Sequence, residues 1–221
     1  MTNIITNIDA LELSREYLDG SMNLIITDPP YDTMVKPGIK MKNKNPKTMT
    51  RFKQWFDVVS INYFKHIIPE FYRILKINSH CYIFCDSDTM PELIKIGEHA
   101  GFKFWKPLVW DKVNFGMGYH YRAQYEFILF FEKGKRKLNS FSIPDILKCK
   151  RIIGKYPTEK PIDLLKVLIS QSSERNETVF DPFMGSGSTG VAALDLGRNF
   201  VGNDISTVAR DLTIERLRYY V

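Results

Sequence analysis

Residues 178–204 constrain this 221-residue chain more than any other stretch. Thr178-Val179-Phe180 reads as a short strand, followed by Asp181-Pro182-Phe183-Met184-Gly185-Ser186-Gly187-Ser188-Thr189-Gly190. Glycines at 185, 187 and 190 let a backbone turn tightly and approach a ligand closely. A helix is expected over 187–197, stopping at Gly197, then a strand over 199–203 with Asp204 at its end, nineteen residues beyond Gly185. Strand, glycine turn, helix, strand and acid at this spacing match an adenosine-binding unit, in which the last carboxylate accepts both hydroxyls of a ribose. A dehydrogenase places such a unit first and builds its sheet afterwards. Here only 17 residues follow Asp204, so the rest of the sheet comes from earlier in the chain and the order is permuted. Asp181 also stands just before the glycines. A pyrophosphate disfavours a carboxylate there, whereas the ammonium of an amino-acid moiety favours it. This points to S-adenosylmethionine over NAD, although a strand-end turn would also accept an Asp.

Elsewhere, strands are expected at 3–8, 23–27, 81–85, 102–110 and 125–131, and helices at 10–19, 52–76, 89–100, 160–173 and 206–220. The 52–76 segment carries Phe52, Trp55, Phe56, Val59, Tyr63 and Ile67 at helical spacing, and Pro69 is expected to kink or break it. Pro161 falls in the first turn of its helix. Alternating strands and helices argue for an α/β fold, Rossmann-like and doubly wound around a mostly parallel sheet. Its faces are both covered, which suits continuous apolar strands. A length of 221 residues suits one domain with a sizeable core.

Leu24-Ile25-Ile26-Thr27 runs into Asp28-Pro29-Pro30-Tyr31. A buried strand closed by Pro-Pro ends in a rigid turn. That turn presents a carboxylate, a backbone carbonyl and an aromatic face at the mouth of a sheet, a set that can grip a planar amine. A plain strand-end turn with an incidental Asp and Tyr is the competing reading.

The formal net charge is +6, with a sequence pI near 9.1. Residues 33–51 hold Lys36, Lys40, Lys42, Lys44, Lys47 and Arg51 and no acid, and read as a basic loop. Residues 133–155 hold Lys133, Lys135, Arg136, Lys137, Lys148, Lys150, Arg151 and Lys155 against Asp145 alone. The two segments carry +6 and +7, so the remainder carries −7. A mildly acidic body with two basic loops suits a polyanion held at one place, and also two solvated loops. No apolar stretch reaches the roughly 18 residues that span a membrane. Cys81, Cys85 and Cys149 form no disulfide framework, which fits a reducing compartment, and they show no metal-ligand spacing with His66, His80, His99 and His120, so no metal is expected.

These motifs together resemble the amino-methylating DNA methyltransferases of the permuted, or beta, class, in which Asp-Pro-Pro-Tyr precedes Phe-x-Gly-x-Gly. The resemblance runs through Asn7-Ile8-Asp9-Ala10, residues 24–31, Ile83-Phe84-Cys85, Trp110-Asp111-Lys112, Tyr119, Tyr125-Glu126-Phe127-Ile128-Leu129 and Tyr156-Pro157-Thr158-Glu159-Lys160-Pro161. In the last segment Tyr156 departs from the family's His. The resemblance implies a circularly permuted S-adenosylmethionine-dependent methyltransferase fold acting on double-stranded DNA, in the cytoplasm of a bacterial cell or a phage-infected host. It implies that Asp28 and the carbonyl of Pro29 accept from the target amine, with Pro30 shaping the turn and Tyr31 stacking on a flipped base. It places Phe183, Gly185 and Gly187 along the methionine side of the cofactor, with Ser186, Ser188 and Thr189 in the same turn and Asp28 at its edge. Asp181 meets the ammonium, Asp204 the ribose, Asp9 and Ala10 the adenine ring, and Thr158 and Lys160 the methionine carboxylate. Asp9 also fits a helix cap, and Lys160 a solvated first-turn lysine. Residues 133–155 occupy the slot of a target-recognition segment, a short one, and a homodimer is plausible for the class. Phosphate contacts are expected from both basic loops and from Arg122, which shares a glycine-bearing loop with Phe115, Tyr119 and Tyr121.

An initial Asp in the motif favours N6 of adenine, since cytosine-N4 enzymes of this kind usually carry Ser there. No cysteine follows a proline, which disfavours methylation at cytosine carbon 5. The alternatives are the same chemistry on cytosine N4 or on RNA, and a non-catalytic nucleic-acid-binding protein with a decayed cofactor fold.

Overall fold

A computed structural model describes residues 2–31, 59–116, 120–152, 156 and 158–220. Eight strands form one sheet: β1 Asn3–Thr6, β2 Met22–Thr27, β3 Leu75–Cys85, β4 Lys103–Asp111, β5 Tyr125–Lys133, β6 Ile146–Lys148, β7 Thr178–Asp181 and β8 Asn199–Asn203. The helices are α1 Ala10–Glu16, α2 Ile61–Ile74, α3 Met90–Ala100, α4 Ile162–Ser172, α5 Ser188–Asp195 and α6 Thr207–Leu217, followed by a 3-10 turn Arg218–Tyr220. The strand order is β1-β8-β7-β2-β3-β5-β4-β6. All neighbours are parallel except β3–β5 and β5–β4.

Alternating side chains divide the sheet into two faces. Ile25, Cys81, Ile83, Leu129 and Phe180 pack with α1, α2 and α3. Leu24, Ile26, Tyr82, Phe84, Ile128 and Val179 pack with α4, α5 and α6. The chain leaves β2 toward the first helical layer and β7 toward the second. The crevice between the ends of these neighbouring strands is the topological switch point, where doubly wound folds bind ligands.

Three expectations need correction. Helix α2 runs unbroken through Pro69. Pro69 lies on the exposed side, while Phe64, Ile67, Ile68, Phe71 and Ile74 are buried. A proline inside a helix costs about 3 kcal/mol, against about 1.5–3 kcal/mol for each of the five apolar side chains this helix buries. Strand β3 begins at Leu75, where helix was expected, because a bulge between its pairings with Met22 and Leu24, with Asn78 at φ 61°, carries the chain into the sheet early. Residues 133–155, read as a basic loop, contain the end of β5 and the edge strand β6. The part of the expected helix over 52–58 lies outside the described residues, as does the basic loop at 33–51. Among the described residues no helix is long and apolar enough to cross a membrane, and no cluster of His, Cys, Asp and Glu could hold a metal ion.

Candidate active site

Two acid-bearing strand ends meet at the switch point. Asp28 follows β2, and Asp181 closes β7. The hydroxyl of Thr27 donates to Asp181 Oδ1 at 3.0 Å and ties the two ends together. Asp181 is 3% exposed and also accepts from the Phe183 amide at 3.2 Å. Burial pushes its carboxyl up to about 7, against the opposing bonds from Thr189, Thr27 and Phe183. A buried carboxyl so placed is suited to receive a cation.

The glycine turn connects β7 to α5. Gly185 has φ 52° and Gly187 φ 79°, the left-handed region. A Cβ on Gly187 would stand 2.7 Å from Thr213 on α6, and one on Gly185 would stand 3.0 Å from the Tyr156 ring. The glycines are therefore demanded by packing within the protein. The Tyr156 ring thus leans on the glycine turn. Asp204 Oδ2 accepts from the Gly185 amide at 3.0 Å and Oδ1 from the Ser206 amide at 2.9 Å. Each oxygen keeps a second lone pair, as a ribose diol requires. Asn203 joins the end of β1 to the turn, accepting from the Ile8 amide at 3.1 Å and donating to the carbonyls of Ile8 and Pro182 at 3.0 and 3.3 Å.

Ser186 and Ser188 are buried and face Arg216, whose guanidinium also pairs with Glu159 at 2.7 Å. Their hydroxyls thus brace the turn. Asp9 caps α1, accepting from the Leu11 and Glu12 amides at 2.9 and 3.1 Å, and takes the Tyr63 hydroxyl at 3.0 Å. The cap reading describes this carboxylate, and an adenine amine would have to share it. Ala10 is buried beside it. Thr158 is exposed with φ 65°.

On the other side of the crevice, the Pro30 carbonyl accepts from the Val59 amide at 2.8 Å, and Pro29 is buried. Tyr31 is half-buried with its ring stacked on Phe64, centroids 5.7 Å apart. Lys160 is not a solvated lysine. It is 9% exposed, ion-paired with Asp28, and its ammonium lies 3.5 Å from Glu126 Oε2. Glu126 accepts from Lys112 at 2.6 Å through its other oxygen. Desolvation raises the Asp28 carboxyl above the usual range, and the Lys160 ammonium offsets part of that rise.

The described basic residues divide between the two ends of the sheet. Strand β5 is antiparallel, with Phe127 beside Cys85 at the catalytic end and Lys133 beside Ser79 at the far end. Six residues of strand span roughly 20 Å, so Lys135, Arg136 and Lys137 belong to the end of the sheet away from Asp28. Arg136 also lies 3.8 Å from both Glu174 and Glu177. Lys133 donates to the carbonyls of Tyr72 and Leu75 at 2.6 Å and closes the end of α2. Strand β6 pairs parallel to β4, with Lys148 beside Asp111, so Lys150 and Arg151 leave at the catalytic end. Arg122 is also at that end, in the β4–β5 hairpin, 3.9 Å over the Phe115 ring. Lys36, Lys40, Lys42, Lys44, Lys47 and Arg51 lie outside the described residues.

Sequence reasoning assigned no role to Glu126, Lys112 or Arg216. Glu126 did carry a signal, a lone acid in the apolar run Tyr125 to Phe131, where an unpaired charge is costly to bury.

Fold and site together define an α/β S-adenosylmethionine-dependent methyltransferase in permuted order. The DNA methylase family of N6 and N4 enzymes matches residues 22–152 and 139–215, and the chain belongs to that family. The chain is 26% identical to the Type II methyltransferase M2.MboI of Moraxella bovis over 241 residues, covering 96% of this chain and 85% of that protein. It is 26% identical to the DNA adenine methyltransferase YhdJ of Escherichia coli, covering 95% and 80%. The crystal structure of the M1.HpyAVI–SAM complex superposes with a TM-score of 0.74 at 27% identity, over 98% of this chain and 100% of that one. The cytosine-N4-specific PvuII DNA methyltransferase, at 14% identity and TM-score 0.72 over 100% and 91%, shares the fold. S-adenosylmethionine is the cofactor, and the acceptor chemistry of Asp181 and Asp204 fits its ammonium and its ribose.

Proposed function

We propose that the chain methylates the N6 amine of adenine in double-stranded DNA, on a base turned out of the helix. The carrying observation is the Asp28 carboxylate, held at a rigid turn beside the Asp181 strand end. An exocyclic amine is a poor nucleophile because its lone pair is delocalised into the ring. Asp28 and the Pro29 carbonyl accept its two N–H groups and draw the nitrogen toward a tetrahedral shape. When bound, S-adenosylmethionine supplies an electrophilic methyl carbon on a positive sulfur. The nitrogen lone pair forms the new C–N bond as the C–S bond breaks and its electrons return to sulfur. The surplus proton on nitrogen leaves through Asp28 to water. Most of the gain comes from positioning and a preorganised polar site. Tyr31 stacks on the extruded base, and Lys148, Lys150, Arg151 and Arg122 contact phosphates at the catalytic end. An initial Asp in the motif, and the name of the E. coli relative, support adenine over cytosine.

The test is nucleoside mass spectrometry after reaction with unmethylated DNA and S-adenosylmethionine. N6-methyl-2′-deoxyadenosine is the expected product and should vanish in Asp28→Ala while DNA binding persists. N4-methyl-2′-deoxycytidine would move the target to cytosine. Activity surviving Asp28→Ala would overturn the assignment of the site.

A further inference from the structure

Lys160 carries its ammonium into a closed corner of the active site. It pairs with Asp28 Oδ2, lies 3.5 Å from Glu126 Oε2, and stands 5.0 Å over the Phe84 ring and 5.9 Å from that of Trp110. Glu126 is held in turn by Lys112 at 2.6 Å. The four charges come from four places, the end of β2, the lead-in to α4, strand β5 and the hairpin after β4, and they sum to zero. Two carboxylates and two aromatic faces fix the Lys160 ammonium, which leaves it poorly placed as a ligand of the methionine carboxylate.

A carboxyl in the position of Asp28 has a physical difficulty. Desolvation favours its protonated form, which accepts from the amine more weakly than the anion and cannot take up the amine's surplus proton. Asp181 from β7, Cys85 from β3, Tyr31 of its own turn and Tyr156 before α4 also face it, and each is acidic or neutral. Lys160 and, more distantly, Lys112 supply the opposing cations.

We propose that Lys160 is a positioning residue for methyl transfer. It keeps Asp28 an anion and occupies Oδ2, so that Oδ1 meets the amine, while Glu126, anchored by Lys112, shares the ammonium and keeps Asp28 from being quenched by it. This rests on the reading of Asp28 as the acceptor of the target amine. Loss of Lys160 leaves a half-buried, partly desolvated carboxyl that takes up a proton more readily. Loss of the Glu126 charge removes a repelling anion and gives Asp28 the whole of the ammonium, so its proton is lost more readily. The two changes act in opposite directions, which a scaffold role for either residue would not produce.

The experiment measures kcat/KM for methyl transfer from pH 5 to 9, and S-adenosylmethionine affinity by calorimetry, for the native chain, Lys160→Met, Lys160→Arg and Glu126→Gln. The acid limb should move up by a pH unit or more in Lys160→Met, a tenfold or greater loss of rate on that limb, with cofactor Kd within threefold. It should return toward native in Lys160→Arg and move down in Glu126→Gln. A Kd weakened tenfold in Lys160→Met with the acid limb unmoved would make Lys160 a cofactor ligand and overturn the proposal. If Lys160→Met does not fold, Glu126→Gln decides, and an unmoved limb overturns the proposal. If the native chain makes no N6-methyladenine, the functional reading fails separately. The positioning role is then read from carbon-13 titration of the Asp28 carboxyl, whose midpoint must rise in Lys160→Met or Lys160→Arg relative to native, most in the former, and fall in Glu126→Gln.

Discussion

Asp181 and Asp28 are both carboxyls raised by desolvation, Asp181 fully buried and Asp28 with its side chain 30% exposed, yet their neighbours differ in kind. Asp28 has a lysine. Asp181 has only neutral donors, Thr27, Thr189 and the Phe183 amide, so its midpoint sits near 7. A cationic ligand supplies what the protein omits. Below pH 7 the ammonium of S-adenosylmethionine must draw a proton off Asp181 before it gains an ion pair. Above pH 7 the anion is already present. Cofactor affinity should therefore rise with pH between 5.5 and 7.5, a range in which an α-amino group stays largely protonated. Asp181→Asn should flatten this dependence and weaken binding by about 30-fold at pH 7.5, the effect of losing roughly 2 kcal/mol from a charged hydrogen bond. Calorimetry across that range measures both effects, and an unchanged slope in the variant would detach Asp181 from the cofactor.

At the scale of elements, the glycine turn is a packed joint between β7, α5 and α6. Gly187→Ala would force a left-handed residue and a contact 2.7 Å from Thr213, costing about 1–3 kcal/mol from the backbone alone; urea unfolding measures it. Strand direction makes a second prediction. Lys148, Lys150 and Arg151 leave β6 at the catalytic end, whereas Lys135 and Lys137 follow β5 at the other. Neutralising the first three should lower the salt slope of DNA binding by about one for each phosphate no longer neutralised, and neutralising the second pair should leave it unchanged. This division was invisible in the sequence. The charge run 133–155 could be counted, but the antiparallel course of β5, which sends its two halves to opposite ends, is a property of the sheet. Elements with a strong period, such as β2, β5 and α3, were legible because each buries a continuous or alternating face. Strand β6 was not, because Leu147 is its one buried residue. The strand-end acids Asp28, Asp181 and Asp204 could be read from position alone. The Lys160–Asp28 pair spans 132 residues and needed the sheet to bring it together.

Across the whole molecule, two buried titratable groups at opposite ends of the sheet respond oppositely to acid. At the far end, the Tyr82 hydroxyl lies 2.7 Å from Ser172 Oγ, and Ser172 Oγ lies 2.7 Å from His80 Nδ1. His80 Nε2 is 3.2 Å from the Arg136 carbonyl, which can only accept. Nε2 therefore carries the proton, Nδ1 accepts from Ser172, and Ser172 accepts from Tyr82, so a neutral imidazole satisfies the chain. Burial holds His80 down to about 4, against an ordinary value near 6.5. The native state loses stability as pH falls through that interval, by about 3 kcal/mol in all. Asp181 runs the other way. Its raised native value means the cost of ionising it is full above pH 7 and fades as pH falls toward 4, by an amount of similar size. The two slopes nearly cancel in the native, cofactor-free chain, so its unfolding free energy alone would conceal both. They separate in single variants. Relative to native, His80→Gln should gain about 3 kcal/mol as pH falls from 7 to 4, whatever constant offset its altered hydrogen bonds impose. Asp181→Asn should lose about 3 kcal/mol over the same interval. Urea unfolding at four or five pH values reads both differences. Parallel curves for His80→Gln and the native chain would mean that the imidazole is charged or solvated in the folded state, which the Tyr82–Ser172–His80 geometry forbids.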